Sequence, residues 1–155
     1  MAYIFFYASI LIMWILLLIC VRFRTPGTAH TIIAIVTAAA SIVYDMTLGE
    51  YMGLYYYIHP QVSVIHTMLA ALLIYPPANV IYTLFLPRSA HAAVVYTILW
   101  IGGMLVFEYA SVLAGTVVFT GWDPFPWSPL TYAGTYLWVY FLFNYVKNRH
   151  YKLQT

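Results

Sequence analysis

The chain has 155 residues, of which 65% are hydrophobic and only 6% carry a charge. Soluble domains are about half apolar and about a quarter charged, so six basic and four acidic side chains are too few to cover a surface that faces water. The composition excludes an ordinary soluble domain, and the basic residues are also too few to bind nucleic acid. It predicts a single domain that is surrounded mostly by lipid.

Five segments are apolar and long enough to cross a bilayer, which takes roughly 20 residues. In chain order we expect spans at about 2–21, 30–49, 62–85, 92–120 and 130–146. The Pro76-Pro77 pair interrupts the third span, and the proline-rich segment 121–129 is expected to lie outside any helix interior, because each proline removes a donor and clashes with the preceding turn. The sequence therefore predicts an all-α integral membrane helical bundle with about five transmembrane helices.

The charges predict an orientation for this bundle. With five spans, the basic residues all fall on one side, while Asp45, Glu50 and Asp123 fall toward the other. The basic set is Arg22, Arg24, Arg88, Lys147, Arg149 and Lys152. Since short loops rich in Lys and Arg stay in the cytoplasm, we expect the N-terminus outside and the C-terminus in the cytoplasm.

Aromatic residues are concentrated near the expected outer ends of the spans. Such amphipathic rings prefer the headgroup level, so we interpret them first as a belt and not as a binding site. The belt consists of Tyr51, Tyr55, Tyr56, Tyr57, Trp122, Phe125 and Trp127.

Small residues predict which helices pack closely, because close approach in lipid depends on them. The second span has Ala34, Ala38 and Ser41 at helical spacing. In the fourth span, small residues lie on two opposite faces, so we expect this helix to be central. One face has Glu108, Ser111 and Gly115, and the other has Gly103, Ala110 and Ala114.

Glu108 is the strongest candidate for a functional residue. It lies about 16 residues into its span, or about 25 Å at 1.5 Å per residue, where a charged side chain costs several kcal/mol. We expect it to be protonated or paired. It is either a structural hydrogen-bond partner for a hydroxyl on a neighbouring helix, or a proton carrier, ion ligand or counter-charge for a substrate.

Two further residues lie at a similar depth. Asp45 is close to the level of Glu108, and His66 lies somewhat further out, so three helices would bring them into one polar cavity, with Ser111 on the same face as Glu108. Alternatively, Asp45 and His66 are interfacial and simply hydrated. The Pro76-Pro77 break frees backbone carbonyls that Asn79 or water must satisfy, and it represents either a change of helix shape or part of a binding site.

The expected outer face has its own candidates, namely Glu50, His59 and Asp123. No HxxxH or ExxH pair occurs, so we predict no metal site. Neither a phosphate-binding loop nor a dinucleotide fingerprint nor a haem attachment motif is present, which leaves any cofactor unknown.

Several short motifs together resemble an uncharacterised family of small polytopic membrane proteins from spore-forming Firmicutes. They cover about the last two-thirds of the chain and are Tyr75-Pro76-Pro77, Leu86-Pro87, Trp100, Glu108, Gly121-Trp122, Trp127-Ser128 and the run from Asn148 to Lys152. The resemblance implies a bacterial plasma membrane and transfers no catalytic residue.

The leading functional hypothesis is a non-enzymatic membrane protein. It is either a bundle that handles a small ligand or protons around Glu108, or an accessory subunit of a larger membrane complex. Besides lipids, a second copy of the chain is an expected partner, since a transporter of this size would need to dimerise. The alternative is a membrane enzyme that acts on a lipid or isoprenoid at the outer face through Asp45, Glu50, His59 and His66.

Overall fold

The computed structural model describes residues 1–152, with side chains through position 149, and it is a helical bundle with very little sheet. The prediction of an all-α membrane-type bundle is confirmed at this level. In chain order the elements are α1 (Ala2–Phe23), α2 (Thr28–Asp45), a π-helical turn (Met46–Tyr51), β1 (Tyr55–Tyr57), a 3₁₀ turn (Pro60–Val62), α3 (Ser63–Leu73), α4 (Tyr75–Leu84), α5 (Ala90–Leu113), β2 (Val117–Phe119) and α6 (Pro124–Lys152).

Four helical segments in the described part of the chain are long and apolar enough to cross a membrane. They are Ala2–Phe23, Thr28–Tyr51, Pro60–Leu84 and Ala90–Leu113. The fifth long helix, α6, contains the expected fifth span at 130–146 and packs against α2, α4 and α5. Its tyrosines and terminal cations make it less apolar than the other four segments.

The third helical segment, α3 with α4, lies at the centre of the bundle. Of its most apolar stretch 61% is buried, compared with 11% for α5. The expectation that the fourth span is central was therefore wrong. Gly102 and Gly103 of α5 have open space where a side chain would lie. Small residues allow a neighbouring helix to approach closely, but they do not ensure that one is present.

The interruption predicted at Pro76-Pro77 is confirmed, and it falls at Ile74, between α3 and α4. Both prolines are buried in the first turn of α4, where helical amides have no intrahelical acceptor and proline costs little. The Asn79 side chain donates to Thr37 Oγ1 of α2 across 3.1 Å, so it joins two helices and does not serve the broken turn.

The fourth span ends at Leu113, seven residues before the predicted end at 120. Gly115 adopts a φ of +71°. Its amide donates to the Val112 carbonyl at 3.0 Å, and the Thr116 amide donates to the Ser111 carbonyl at 2.8 Å. This is a Schellman motif, and it terminates α5 because only glycine adopts that backbone conformation at low cost.

A small two-stranded sheet covers one end of the bundle, and we call β1 and β2 together the cap. The strands pair antiparallel, with Tyr55 opposite Phe119 and Tyr57 opposite Val117. The Thr116 hydroxyl donates to the Ala2 carbonyl at 3.1 Å, which places the cap at the N-terminal end of α1. Tyr57 of β1 is itself buried, with 5% of its surface exposed, so its assignment to the aromatic belt was wrong.

The segment 121–129, which was expected to lie outside any helix interior, forms the start of α6 in its second half. Helix α6 begins at Pro124, and Phe125 interrupts it with φ −113° and ψ 125°. Pro126 and Pro129 therefore lie in the first turn after this interruption, where proline is tolerated.

Arg24, Arg88 and Lys147 surround one pocket at the end opposite the cap. The structure thus brings basic residues from three chain segments to one end of the bundle, as the sequence predicts. Which end faces the cytoplasm stays a prediction.

Candidate functional site

A cavity of about 120 Å³ lies beneath the cap, and two carboxyl groups from different helices line it. Asp45 of α2 and Glu108 of α5 both line it, and the described part of the chain contributes no Lys, Arg or His to its wall. The space is sufficient for several water molecules or one small ion with its water. The lining also has hydroxyl groups, from Ser9, Tyr44, Tyr55, Tyr57, Tyr75, Ser111, Thr116, Ser128, Thr131 and Tyr132.

Asp45 is the most buried acidic residue, with 7% of its surface exposed. Its Oδ1 accepts a hydrogen bond from the Tyr55 hydroxyl at 2.7 Å, whereas Oδ2 is buried and has no partner among the described residues. Burial raises the pKa of the Tyr55 phenol, so Tyr55 stays protonated and acts as the donor.

Gly49 allows Tyr55 to reach Asp45. A Cβ atom at position 49 would lie 3.0 Å from the Tyr55 ring and 3.3 Å from its carbonyl oxygen, which is too close for an unstrained contact. The π-helical turn after Asp45 thus places a glycine against the Tyr55 ring, where a larger residue would be too close.

Glu108 is half-buried and bonded to the start of α6. Its Oε1 accepts from the Ser128 hydroxyl at 2.6 Å, and that hydroxyl in turn accepts from the Trp122 indole nitrogen at 2.9 Å. Glu108 therefore has the neighbouring hydroxyl that the structural interpretation expected, and it also lines the cavity that the proton-handling interpretation required.

A pair of tyrosine hydroxyls connects the cap to the central helix. Tyr57 of β1 and Tyr75 of α4 lie 2.7 Å apart at their oxygens, and both line the cavity. Since Tyr75 is the first residue after the Ile74 interruption, the Pro76-Pro77 break determines where this phenol lies. Tyr55, Tyr75 and Ser128 were not among our sequence candidates, although Tyr75 is adjacent to the proline pair that we singled out.

His66 does not line the cavity. Its ring lies edge-on to the rings of Tyr3, Phe6 and Tyr7 of α1, and its Nδ1–H donates to the Val62 carbonyl at 2.9 Å. Its Nε2 is buried and has no partner within residues 1–152. Ser111 does line the cavity, but its hydroxyl donates to the Phe107 carbonyl of its own helix at 2.8 Å. The structure thus brings Asp45, Glu108 and Ser111 together and leaves His66 apart.

Glu50 stabilises the start of the central helix. It accepts from the Ser63 hydroxyl at 2.6 Å and from the Thr67 hydroxyl at 3.1 Å. A carboxylate at this position also interacts favourably with the N-terminal end of the α3 dipole. These contacts indicate a structural role for Glu50.

The other two outer-face candidates are exposed. His59 accepts a long hydrogen bond of 3.4 Å from the Gln61 amide in the 3₁₀ turn, and Asp123 lies on the surface between β2 and α6. The four residues of the enzyme hypothesis therefore lie in separate environments, with Asp45 alone in the cavity. Within residues 1–152 no group of three or more His, Cys, Asp or Glu is arranged to hold a metal ion.

A groove of about 410 Å³ adjoins the cavity between α2, α4 and α6. Asp45, Tyr44, Tyr75 and Thr131 line both spaces. The groove has hydroxyls at every fourth position of two helices, namely Thr37 and Ser41 of α2 below Asp45, and Thr131 and Thr135 of α6. The hydroxyls of α2 thus lie on the same face of the helix as the Asp45 carboxyl.

No family model, curated protein or solved structure matches this chain. The resemblance to the Firmicutes family therefore stays a prediction from the sequence.

Proposed function

We propose that this chain is a non-enzymatic membrane protein that takes up protons or a small cation between Asp45 and Glu108. The observation that supports the proposal is the unpartnered Oδ2 of Asp45 in a cavity that a second carboxyl also lines. Tyr55 satisfies one oxygen of Asp45 and leaves the other for a ligand.

The charge balance of the cavity requires such a ligand. A buried carboxylate without a counter-charge carries a desolvation penalty of several kcal/mol, and intramembrane acidic residues are accordingly paired, protonated or functional. Because no basic side chain of residues 1–149 lines the cavity, positive charge has to come from protons on the carboxyl groups or from a bound cation.

The groove along α2 supplies a route for that positive charge. Its hydroxyls, ending at Asp45, suit a chain of water molecules or a partly hydrated ion. Ser128 of α6 donates to Glu108 on the other wall, as Tyr55 of β1 does to Asp45, so the two carboxyls are held by different elements of the chain.

We place the bundle in a bacterial plasma membrane, with the cap outside, the C-terminus in the cytoplasm and α6 as the fifth span. The location of Arg24, Arg88 and Lys147 at the end opposite the cap supports this orientation, and the family resemblance supports the bacterial membrane. The same uptake of charge would serve a lone bundle, a dimer or a subunit of a larger complex.

Infrared spectroscopy tests the proposal directly, because a protonated carboxyl group has a carbonyl stretch that a carboxylate lacks. We expect the protein in lipid nanodiscs near pH 7 to show protonated carboxyl bands that Asp45→Asn and Glu108→Gln each diminish. The exposed Asp123→Asn is the matched control and should leave these bands unchanged. Raising the pH, or titrating with Na⁺, K⁺ or a small organic ammonium ion, should remove the bands.

Two outcomes would contradict the proposal. One is that Asp45 and Glu108 are both ionised at neutral pH in a buffer of bulky cations that cannot enter the cavity. The other is that their bands persist at every pH and cation concentration at which the protein stays folded.

A further inference from the structure

A larger pocket, of about 840 Å³, lies at the end of the bundle opposite the cap. It is lined by cations from three separate chain segments, Arg24 after α1, Arg88 between α4 and α5, and Lys147 in α6. Its volume falls within the range of about 300–1,000 Å³ that is usual for small-molecule sites. It shares no lining residue with the carboxyl cavity.

The pocket has no acidic side chain to neutralise these cations. The four acidic residues of the chain are Asp45, Glu50, Glu108 and Asp123, and none of them lines it. Three cations around one concave space repel one another unless an anion lies between them. An anion bound among them would relieve this repulsion.

Two of the cations are held against the pocket wall. Arg24 donates through Nη1 to the Leu84 carbonyl at 2.8 Å, and its guanidinium lies 5.1 Å from the centre of the Phe85 ring. Lys147 Nζ lies 5.8 Å from the centre of the Phe143 ring. Because these contacts restrain the side chains before any ligand arrives, binding an anion costs them less conformational entropy.

The start of α2 adds backbone donors to the same pocket. Gly27, Thr28 and Ala29 line it, and the Gly27 amide donates to His30 Nδ1 at 3.0 Å. The amides of Thr28 and Ala29 lie in the first turn, where a helix has no internal acceptors and its dipole favours an anion. The cations and the start of α2 therefore both favour a negatively charged ligand.

We propose that this pocket binds the phosphate group of an anionic lipid. A phosphate accepts hydrogen bonds from guanidinium, ammonium and amide donors together, and basic pockets between transmembrane helices are suited to phosphate headgroups. The pocket lies where the basic helix ends meet the headgroup region, and Leu86 and Phe143 in its wall suit the apolar part of a lipid. This inference does not depend on the carboxyl cavity.

Native mass spectrometry of the detergent-purified chain tests the proposal. We expect phosphatidylglycerol and cardiolipin to bind more tightly than phosphatidylcholine. Arg88→Gln and Lys147→Gln should each weaken binding of the anionic lipids about fivefold, as expected for one basic residue near the headgroup. The matched controls are Arg22→Gln and Arg149→Gln, which remove one cation from the same end of the bundle but outside the pocket.

Soluble glycerol phosphate distinguishes a lipid from a free phosphate as the source. We expect it to bind at least tenfold more weakly than phosphatidylglycerol, and equal binding would overturn the lipid assignment. An equal loss of lipid binding in the two control variants would show diffuse attraction to the basic end and would overturn the site itself. Binding of phosphatidylcholine as tightly as the anionic lipids would do the same.

Discussion

The Ser128 hydroxyl donates to Oε1 of Glu108 at 2.6 Å while it accepts from the Trp122 indole at 2.9 Å. This two-step relay ties the start of α6 to α5 inside the bundle. Ser128 is 2% exposed, so its hydroxyl depends on these partners and not on water. The carboxyl of Glu108 therefore has a structural contact in addition to any role in charge uptake.

Substitutions at Glu108 separate these two contributions. Glu108→Gln keeps an oxygen acceptor for Ser128, so we expect a change in unfolding free energy below about 1 kcal/mol. Glu108→Leu leaves the Ser128 donor unsatisfied and should cost about 1–3 kcal/mol. Thermal unfolding in detergent, followed by size-exclusion chromatography, measures both variants. Equal stability of the Gln and Leu variants would contradict the structural contact.

Tyr55 should be necessary for burying Asp45. Tyr55→Phe removes the only hydrogen bond that the described residues give to the Asp45 carboxyl, and we expect a loss of about 1–3 kcal/mol in stability. Tyr56→Phe, at the next position in β1, removes a hydroxyl that bonds to no described side chain and serves as the matched control. The thermal unfolding assay applies here too, and similar losses in the two variants would count against the Asp45 contact.

The sequence could predict depth in the membrane but not rotation about each helix axis. Counting 1.5 Å per residue placed Asp45 and Glu108 at one level, and the structure puts both in one cavity. The same count placed His66 nearby, yet the orientation of α3 turns its ring toward Tyr3 and Phe6 of α1. That orientation depends on packing between helices, which no local pattern encodes.

The cap was beyond prediction for a different reason. It pairs Tyr55 with Phe119, and such a contact between distant parts of the chain has no local signature in two three-residue strands. Gly115 was a usable signal that we read only as a small packing residue. A glycine near the end of a helical pattern also predicts a C-terminal cap, and this would have ended the fourth span near its true position.

Gly115→Ala tests that termination. With φ at +71°, alanine would be forced into the left-handed region, at a cost of about 1–2 kcal/mol. Gly103→Ala is the opposite control, because its surroundings are open and alanine favours a helix interior by up to about 1 kcal/mol. Chemical denaturation of the two purified variants should show changes of opposite sign. A loss in Gly103→Ala as large as that in Gly115→Ala would contradict this account.

The contact between Asn79 and Thr37 should couple α4 to α2. Both side chains are buried, at 3% and 2% exposure, so Asn79→Leu or Thr37→Val alone leaves one polar group without its partner. We expect each single variant to lose about 1–3 kcal/mol and the double variant to lose less than their sum, with a coupling of at least about 0.5 kcal/mol. A double-mutant cycle on unfolding in detergent measures this coupling. Strict additivity would show that the hydrogen bond contributes nothing.

The orientation of the bundle can be tested by cysteine labelling, because the chain has a single native cysteine. In a Cys20→Ser background, Asp123→Cys introduces an exposed thiol beside the cap, and Ser89→Cys introduces one beside Arg88 at the basic end. Moving Arg24, Arg88 and Lys147 across the hydrocarbon costs several kcal/mol for each cation, so we expect a membrane-impermeant maleimide applied to intact bacteria to label position 123 and not position 89. Permeabilised cells should label both and thereby control for reactivity. Labelling of position 89 alone in intact cells would show that the orientation is the reverse of the one proposed. The Asp45–Glu108 cavity would then lie toward the cytoplasm.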